Sequence, residues 1–254
     1  MADKQDLEHR SRRADAVRKD LAQHKTEGGV FNYATLESVG KLGSKGFIDQ
    51  IQGPIATGKE ADVFLGMRDG KKIVIKIFRF SSASYFKKPT VLQYILGDER
   101  FRKVKRSPHD LIRSWAMKEF RNLKKAQEAG VRAPKPFAIE KNVMVMQYIG
   151  EDKPAKKLLK SKLDNPEGTF KEIVMQMRRL YKAGLVHADM SEYNILMLKG
   201  QPYLIDFGQG VLLNHPKAKE FLARDVKIIC TFFGKLGVAC DEKMTLNEIT
   251  RKNG

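Results

Sequence analysis

Residues 187–208 read HADMSEYNILMLKGQPYLIDFG, and this stretch narrows the choice of fold more than any other in the chain. Two apolar runs, Ile195–Leu198 and Tyr203–Asp206, flank the turn residues Lys199-Gly200-Gln201-Pro202, a pattern that predicts a β-hairpin. A polar loop, Asp189–Asn194, precedes the hairpin, and Asp206-Phe207-Gly208 closes it. Two carboxylates and one amide therefore gather at the ends of one small element. Carboxylate and amide oxygens suit Mg²⁺, which takes few ligands from protein and the rest from water and phosphate. Phosphoryl transfer asks mainly for positioning and charge neutralisation. Asn194 and Asp206 are accordingly read as metal ligands, and Asp189 as the group that orients a nucleophile or accepts a hydroxyl proton. Singly, an Asp or Asn in a loop is a cap or turn former. The joint spacing is what separates this stretch from that reading.

Upstream, Lys71–Phe78 reads KKIVIKIF, a strand that follows an Asp69-Gly70 hairpin turn and carries Lys76 between Ile75 and Ile77. A lysine buried there needs a charged partner; on an edge strand it would need none. The helix expected over His109–Gly130 has an apolar stripe of Leu111, Trp115 and Leu123, and Glu119 falls on that stripe. Glu119 is the natural partner of Lys76; otherwise it is a surface group among Lys118, Arg121 and Lys124. Strands are also expected at Phe47–Gln52, Ala61–Gly66, Pro134–Ile139 and Asn142–Tyr148. Gly53 to Lys59 satisfies the P-loop pattern, but Glu60 replaces its Ser/Thr, and a strand rather than a helix follows. The competing reading is a phosphate-covering loop between two strands, with Thr57, Gly58, Lys59, Glu60 and Val63 lining it.

The remaining chain is helical and strongly basic. Residues 1–28 could dock one helix face through Val17 and Leu21, ending at Gly28-Gly29. A short helix within Phe31–Phe47 is expected to be broken by Gly40, Gly43 and Gly46. Residues 79–110 read as a basic insertion, with Arg79, Lys87, Lys88, Arg100, Arg102, Lys103, Lys105 and Arg106, and Val91–Leu96 as a short helix. Asn165-Pro166-Glu167 starts a core-facing helix that Gly184 ends. Phe221, Leu222, Val226, Ile229, Cys230 and Phe233 mark another, and Thr245 with Glu248 reads as a capping box for the last. With 254 residues, 42% hydrophobic, the chain can build one large domain or two lobes. No run approaches the roughly 20 apolar residues of a membrane span, and the N-terminus lacks an apolar signal core. Cys230 and Cys240 lack metal-ligand spacing and are read as packing residues in a reducing cytoplasm. A net charge of +18 favours a polyanion such as RNA, held through backbone contacts, unless it serves solubility alone.

These motifs resemble a protein kinase catalytic core, in which H-R-D-x-x-x-x-N is followed by D-F-G. Here Ala188 replaces the Arg. The loop ATGKEADV (56–63), VIK (74–76), the insertion before the Glu119 helix, HADMSEYNIL (187–196) and LIDFGQGV (204–211) resemble the RIO family of atypical serine protein kinases, in the archaeal-type branch without a winged-helix domain. The resemblance implies an α+β, bilobal kinase-like fold: an N-lobe antiparallel sheet plus helix, and a small, mostly helical C-lobe. It divides the chain into an N-terminal helical extension (1–45), an N-lobe (46–149) bearing a flexible insertion (79–110), and a C-lobe (150–254). It implies ATP with Mg²⁺ or Mn²⁺, Lys76 on the α/β-phosphates and paired with Glu119, and adenine at a hinge near Gln147 and Ile149. Asn194 and Asp206 would hold the metal, and Asp189 would be the catalytic Asp. It further implies serine autophosphorylation, ATPase turnover through a phospho-aspartate on Asp206, and a cytoplasmic role in maturing the small ribosomal subunit precursor. The partners would be RNA and ribosomal or assembly proteins, with no membrane or DNA. There is no A-P-E motif, so phosphorylation of outside proteins is not expected to be efficient. An RNA-binding scaffold with a nucleotide-sensing site, or a small-molecule kinase on the same fold, are the alternatives.

Overall fold

The computed structural model describes residues 4–23, 31–101 and 107–251. The expected break at Gly28-Gly29, and Arg102, Lys103, Lys105 and Arg106 of the insertion, lie outside them. The fold is α+β and kinase-like, with two compact units. The first comprises Met1–Leu92, Lys103–Phe120 and Lys135–Tyr148; the second comprises Gln93–Arg102, Arg121–Pro134 and Ile149–Gly254.

The first unit opens with helices α1 (Lys4–Gln23) and α2 (Tyr33–Ser44). Val17 and Leu21 of α1 are fully buried in a cluster with Val39, Leu42, Ile48 and Ile51. Asn32 caps α2, its side chain accepting from the Thr35 N–H at 2.9 Å. Contrary to expectation, α2 runs unbroken through Gly40 and Gly43. These glycines mark where the two helices approach closely: a Cβ on Gly43 would lie 2.6 Å from Val17 Cγ2, and one on Gly40 2.3 Å from Arg18 Nε. Only Gly46, with φ +76°, lies beyond the helix end.

The sheet follows: β1 (Gln50–Thr57), β2 (Ala61–Arg68), β3 (Lys71–Phe78), then, after the helices α3 (Ala83–Phe86), α4 (Pro89–Leu96) and α5 (Pro108–Glu128), β4 (Pro136–Glu140) and β5 (Val143–Gln147). Their antiparallel order is β1-β2-β3-β5-β4. Asp69 and Gly70, both at positive φ, form the two-residue β2–β3 turn. Gly53–Ala56 lie within β1, and β2 comes next, so the P-loop pattern is a chance match: its loop and its helix are both strands here. Pro54 is tolerated because β1 is an edge strand and its register shifts there.

The second unit holds β6 (Lys156–Lys157), α6 (Pro166–Lys182), β7 (Leu185–Val186), β8 (Ile195–Leu198), β9 (Gln201–Leu204), β10 (Val211–Leu212), α7 (Ala218–Gly234) and α8 (Glu242–Thr250). Strands β6-β8-β9 form one small sheet, and β7 pairs β10. The β8–β9 turn is only Lys199-Gly200, both at positive φ, so β9 starts two residues earlier than expected. Pro202 fits because β9 is an edge. Asn165 caps α6 by accepting from the Gly168 N–H at 2.8 Å, and Ile173, Val174, Met177 and Leu180 form its buried face. The last helix is capped by Asp241, which accepts from the Met244 N–H at 2.6 Å, rather than by Thr245, which lies inside the helix with its hydroxyl on the Asp241 carbonyl. Both cysteines are free, and burial raises both thiols, Cys240 to about 11, which suits packing and not nucleophilic chemistry. Among the described residues no helix is long and apolar enough to cross a membrane.

Candidate active site

The first unit holds a buried ion pair. In β3, Lys76 sits opposite Val63 on one side and Met144 on the other, so the strand is central and the lysine cannot escape sideways to water. On α5, Ile112, Trp115, Ala116 and Glu119 recur on one face and are all buried. That face delivers the carboxylate: Lys76 Nζ lies 2.7 and 2.8 Å from the two Glu119 oxygens. The ammonium is also 5.2 Å from the Phe78 ring centroid.

The proposed phosphate loop is exposed at Thr57, Gly58 and Lys59 and half-buried at Glu60 and Val63. It is held from behind. The Gly58 N–H donates to Ala61 O at 3.0 Å, the Arg79 N–H to Glu60 O at 3.0 Å, and the Ser82 hydroxyl to Lys59 O at 2.6 Å. Asp62, just past the loop, is buried and takes a bidentate pair from Arg79. At the expected hinge, the Gln147 N–H donates to Lys135 O at 2.8 Å, and in the second unit Ile149 O accepts from Ala155 at 3.0 Å.

The second unit brings Asp189, Asn194 and the Asp206 segment together. Asn194 gives its side-chain N–H groups to the Asp189 carbonyl at 2.8 Å and the Asp189 carboxylate at 2.9 Å. Its backbone carbonyl accepts from Ile205, the residue before Asp206, at 2.9 Å. His187 is buried against Phe207, ring centroids 4.7 Å apart, and donates Nε2–H to Ile205 O at 3.0 Å. All three candidate residues are half-buried. Ala188 (φ +63°) and Asp206 (φ +64°) both adopt the left-handed conformation that side chains disfavour, so backbone strain sits beside each carboxylate.

What holds this loop in that state lies on α7 and escaped the sequence reading. Asp225 is fully buried and accepts the N–H groups of Ala188 at 2.7 Å and Met190 at 3.1 Å, bracketing Asp189. Burial pushes its carboxyl up to about 7, against the downward pull of the two N–H bonds and of Arg224. Arg224 donates to the Ala188 carbonyl. Asn122 of α5, also fully buried, donates to Phe207 O at 2.9 Å and Gly210 O at 2.8 Å, closing the Asp206 loop from behind. A signal was available for both: Asp225 sits on the Phe221–Ile229 stripe, and Asn122 lies three residues beyond Glu119, so each is a polar group on a buried helix face.

The donor set suits a hard divalent ion. With both side-chain hydrogens of Asn194 spent on Asp189, its amide oxygen remains to accept, and the Asp206 carboxylate follows the strand that Asn194 anchors.

Residues 62–248 match the RIO domain family model. The chain is 41% identical over 238 residues to the RIO-type serine/threonine-protein kinase Rio1 of Haloferax volcanii, covering 93% of this chain and 81% of that protein. It is 38% identical to the Thermoplasma acidophilum protein of the same description, covering 75% of this chain and all of that one. Among solved structures, the Rio2 kinase of Chaetomium thermophilum in an ADP/Mg²⁺-phosphoaspartate complex is similar, with a TM-score of 0.66 and 25% identity over 90% of this chain and 71% of that one. Motifs, fold and relatives agree: the chain belongs to the RIO family of serine/threonine-protein kinases.

Proposed function

We propose that this protein transfers the γ-phosphoryl group of ATP to its own serine hydroxyls and, through Asp206, to water. In this reading Lys76, held by Glu119, engages the α- and β-phosphates, and the loop from Thr57 to Val63 covers them. Gln147 and Ile149 mark the adenine end. Asn194 and Asp206 hold Mg²⁺ (or Mn²⁺), which when bound neutralises charge on the phosphates. Asp189 orients the serine hydroxyl and accepts its proton as the new O–P bond forms and ADP departs. In the hydrolytic branch an Asp206 oxygen takes the phosphoryl group, and water then cleaves the acyl phosphate, returning the carboxylate and inorganic phosphate. The complex formed by the Chaetomium Rio2 kinase supports that branch by likeness.

The observation that carries the reading is the Asp189–Asn194 pair, which commits the amide hydrogens to the catalytic loop and leaves the amide oxygen to accept, while the Asn194 backbone carbonyl holds Ile205 next to Asp206. The biological setting follows from the family resemblance and the charge of +18: cytoplasmic maturation of a small ribosomal subunit precursor, with RNA and ribosomal or assembly proteins as partners. The test is incubation of pure protein with γ-labelled ATP and Mg²⁺, followed by mapping of the label. Acid-stable label on serine, or hydroxylamine-labile label on Asp206, is expected, and Asp189→Ala should abolish the serine label. An Asp189→Ala protein that turned over ATP at the wild-type rate would defeat the role given to that residue.

A further inference from the structure

The second half of the insertion before α5, Gln93–Phe101, has no part in the chemistry just described, yet side-chain contacts tie it to the rest of the second unit. Tyr94 is buried, its ring centroid 5.0 Å from that of Phe221 on α7. Its hydroxyl lies 3.4 Å from Nη2 of Arg224, the same nitrogen that donates to the Ala188 carbonyl. A path of two side-chain contacts thus runs from the insertion to the strained residue before Asp189. A second path starts four residues on. Asp98 is buried and grips Arg100 through both carboxylate oxygens, at 2.9 and 2.6 Å. Arg100 donates to the Asn122 side-chain oxygen at 2.8 Å, and Asn122 in turn donates to the Phe207 and Gly210 carbonyls that follow Asp206.

The segment itself is fixed between these paths. His215 Nδ1 accepts from the Lys217 N–H at 3.1 Å, so the ring proton sits on Nε2, which donates to the Gln93 carbonyl at 3.1 Å. A Cβ on Gly97 would lie 2.1 Å from that same nitrogen, so glycine is required for the chain to pass.

We propose that Gln93–Phe101 is a clamp that holds both carboxylate loops of the active site, with Tyr94 positioning the Asp189 loop through Arg224 and Arg100 positioning the Asp206 loop through Asn122. Left-handed backbone at Ala188 and Asp206 relaxes unless neighbouring structure enforces it. The clamp supplies that constraint from a segment outside the motifs. Tyr94 and Arg100 are positioning residues and touch neither nucleotide nor metal in this scheme.

The kinetic half of the test rests on the function proposed above; the exchange half does not. Tyr94→Phe removes the hydroxyl and keeps the ring on Phe221, while Arg100→Lys keeps a cation for Asp98 and removes the planar fork. Each should lower kcat for autophosphorylation about three- to tenfold, with the KM for ATP within about twofold, because geometry at the transferring group is disturbed rather than binding. Tyr94→Phe should be silent in an Arg224→Ala background, since the hydroxyl acts through that guanidinium. Amide hydrogen exchange of the intact protein reads the clamp without any activity. Tyr94→Phe should speed exchange across residues 187–190 and spare 206–210, and Arg100→Lys should do the reverse. Unchanged exchange in both segments, or equal loosening of both by either variant, overturns the proposal. If Asp189→Ala were as active as wild type while the selective exchange pattern appeared, the function would fall and the clamp would stand.

Discussion

The two units bury a carboxylate in opposite ways. Glu119 in the first is 1% exposed and is met by a cation, Lys76, at 2.7 and 2.8 Å. Asp225 in the second is 0% exposed and is met by two neutral backbone N–H groups. A full countercharge meets the first carboxylate, at the expense of desolvating both partners. Two N–H dipoles are weaker compensation, and burial lifts Asp225 to about 7. The first arrangement presents an oriented ammonium. The second grips backbone, and so fixes the path of the loop that carries Asp189.

The sharpest way to break this contrast is Glu119→Gln, which removes the carboxylate countercharge from the buried Lys76 ammonium. Thermal or denaturant unfolding should show a loss of roughly 3–5 kcal/mol, largely recovered in the Lys76→Met/Glu119→Leu pair, in which no charge remains. A loss no greater than that from Asp225→Asn would make the two sites equivalent and remove the contrast. Asp225→Asn keeps the shape but can accept only one of the two N–H groups, so a loss of about 1–3 kcal/mol is expected at neutral pH.

The same variant tests the titration. The folded-state value near 7 lies above the ordinary 3.8. Between these values the folded protein keeps a proton that the unfolded chain has lost. The stabilisation is therefore full below 3.8 and is lost as pH rises through about 7. Denaturation midpoints at pH 5 and pH 8 should differ more in wild type than in Asp225→Asn. Equal differences would mean that Asp225 is ionised throughout. A smaller effect is expected from Arg79→Lys, which keeps a charge near Asp62 but loses the bidentate fork, for about 1 kcal/mol. At the bottom of the scale, Glu167→Gln breaks a pair with Lys171 whose side chains are 66% and 70% exposed, and should leave the melting curve unchanged.

Legibility in the sequence followed the range of each interaction. Asp189 and Asn194 lie five residues apart and the Asp69-Gly70 turn spans two, so spacing alone pointed to them, while the Lys199-Gly200 turn was expected in place but two residues too long. The Lys76–Glu119 pair spans 43 residues and was still readable, because a lysine between isoleucines and a glutamate on an apolar stripe each advertised an unmet charge. Gly40 and Gly43 misled for the opposite reason. Their helix-breaking tendency is local, and it yields to a close α1–α2 approach that no local pattern records. Asp62 with Arg79, and Arg100 with Asn122, join common residue types in a charge-rich chain, where nothing singles out one partner among 48 basic residues.

The sequence by itself determined the family and the α+β class, and it singled out Lys76, Glu119, Asp189, Asn194 and Asp206 as candidates, because those rest on residue type and short spacing. Only the tertiary structure decided what keeps the last three in place: Asp225 and Arg224 behind one loop, Asn122 behind the other, and Tyr94 and Arg100 behind both supports. The physical reason is that a strained loop is held by distant groups whose value lies in where the fold puts them. A tyrosine 130 residues from its arginine carries no mark of that role until the chain has folded.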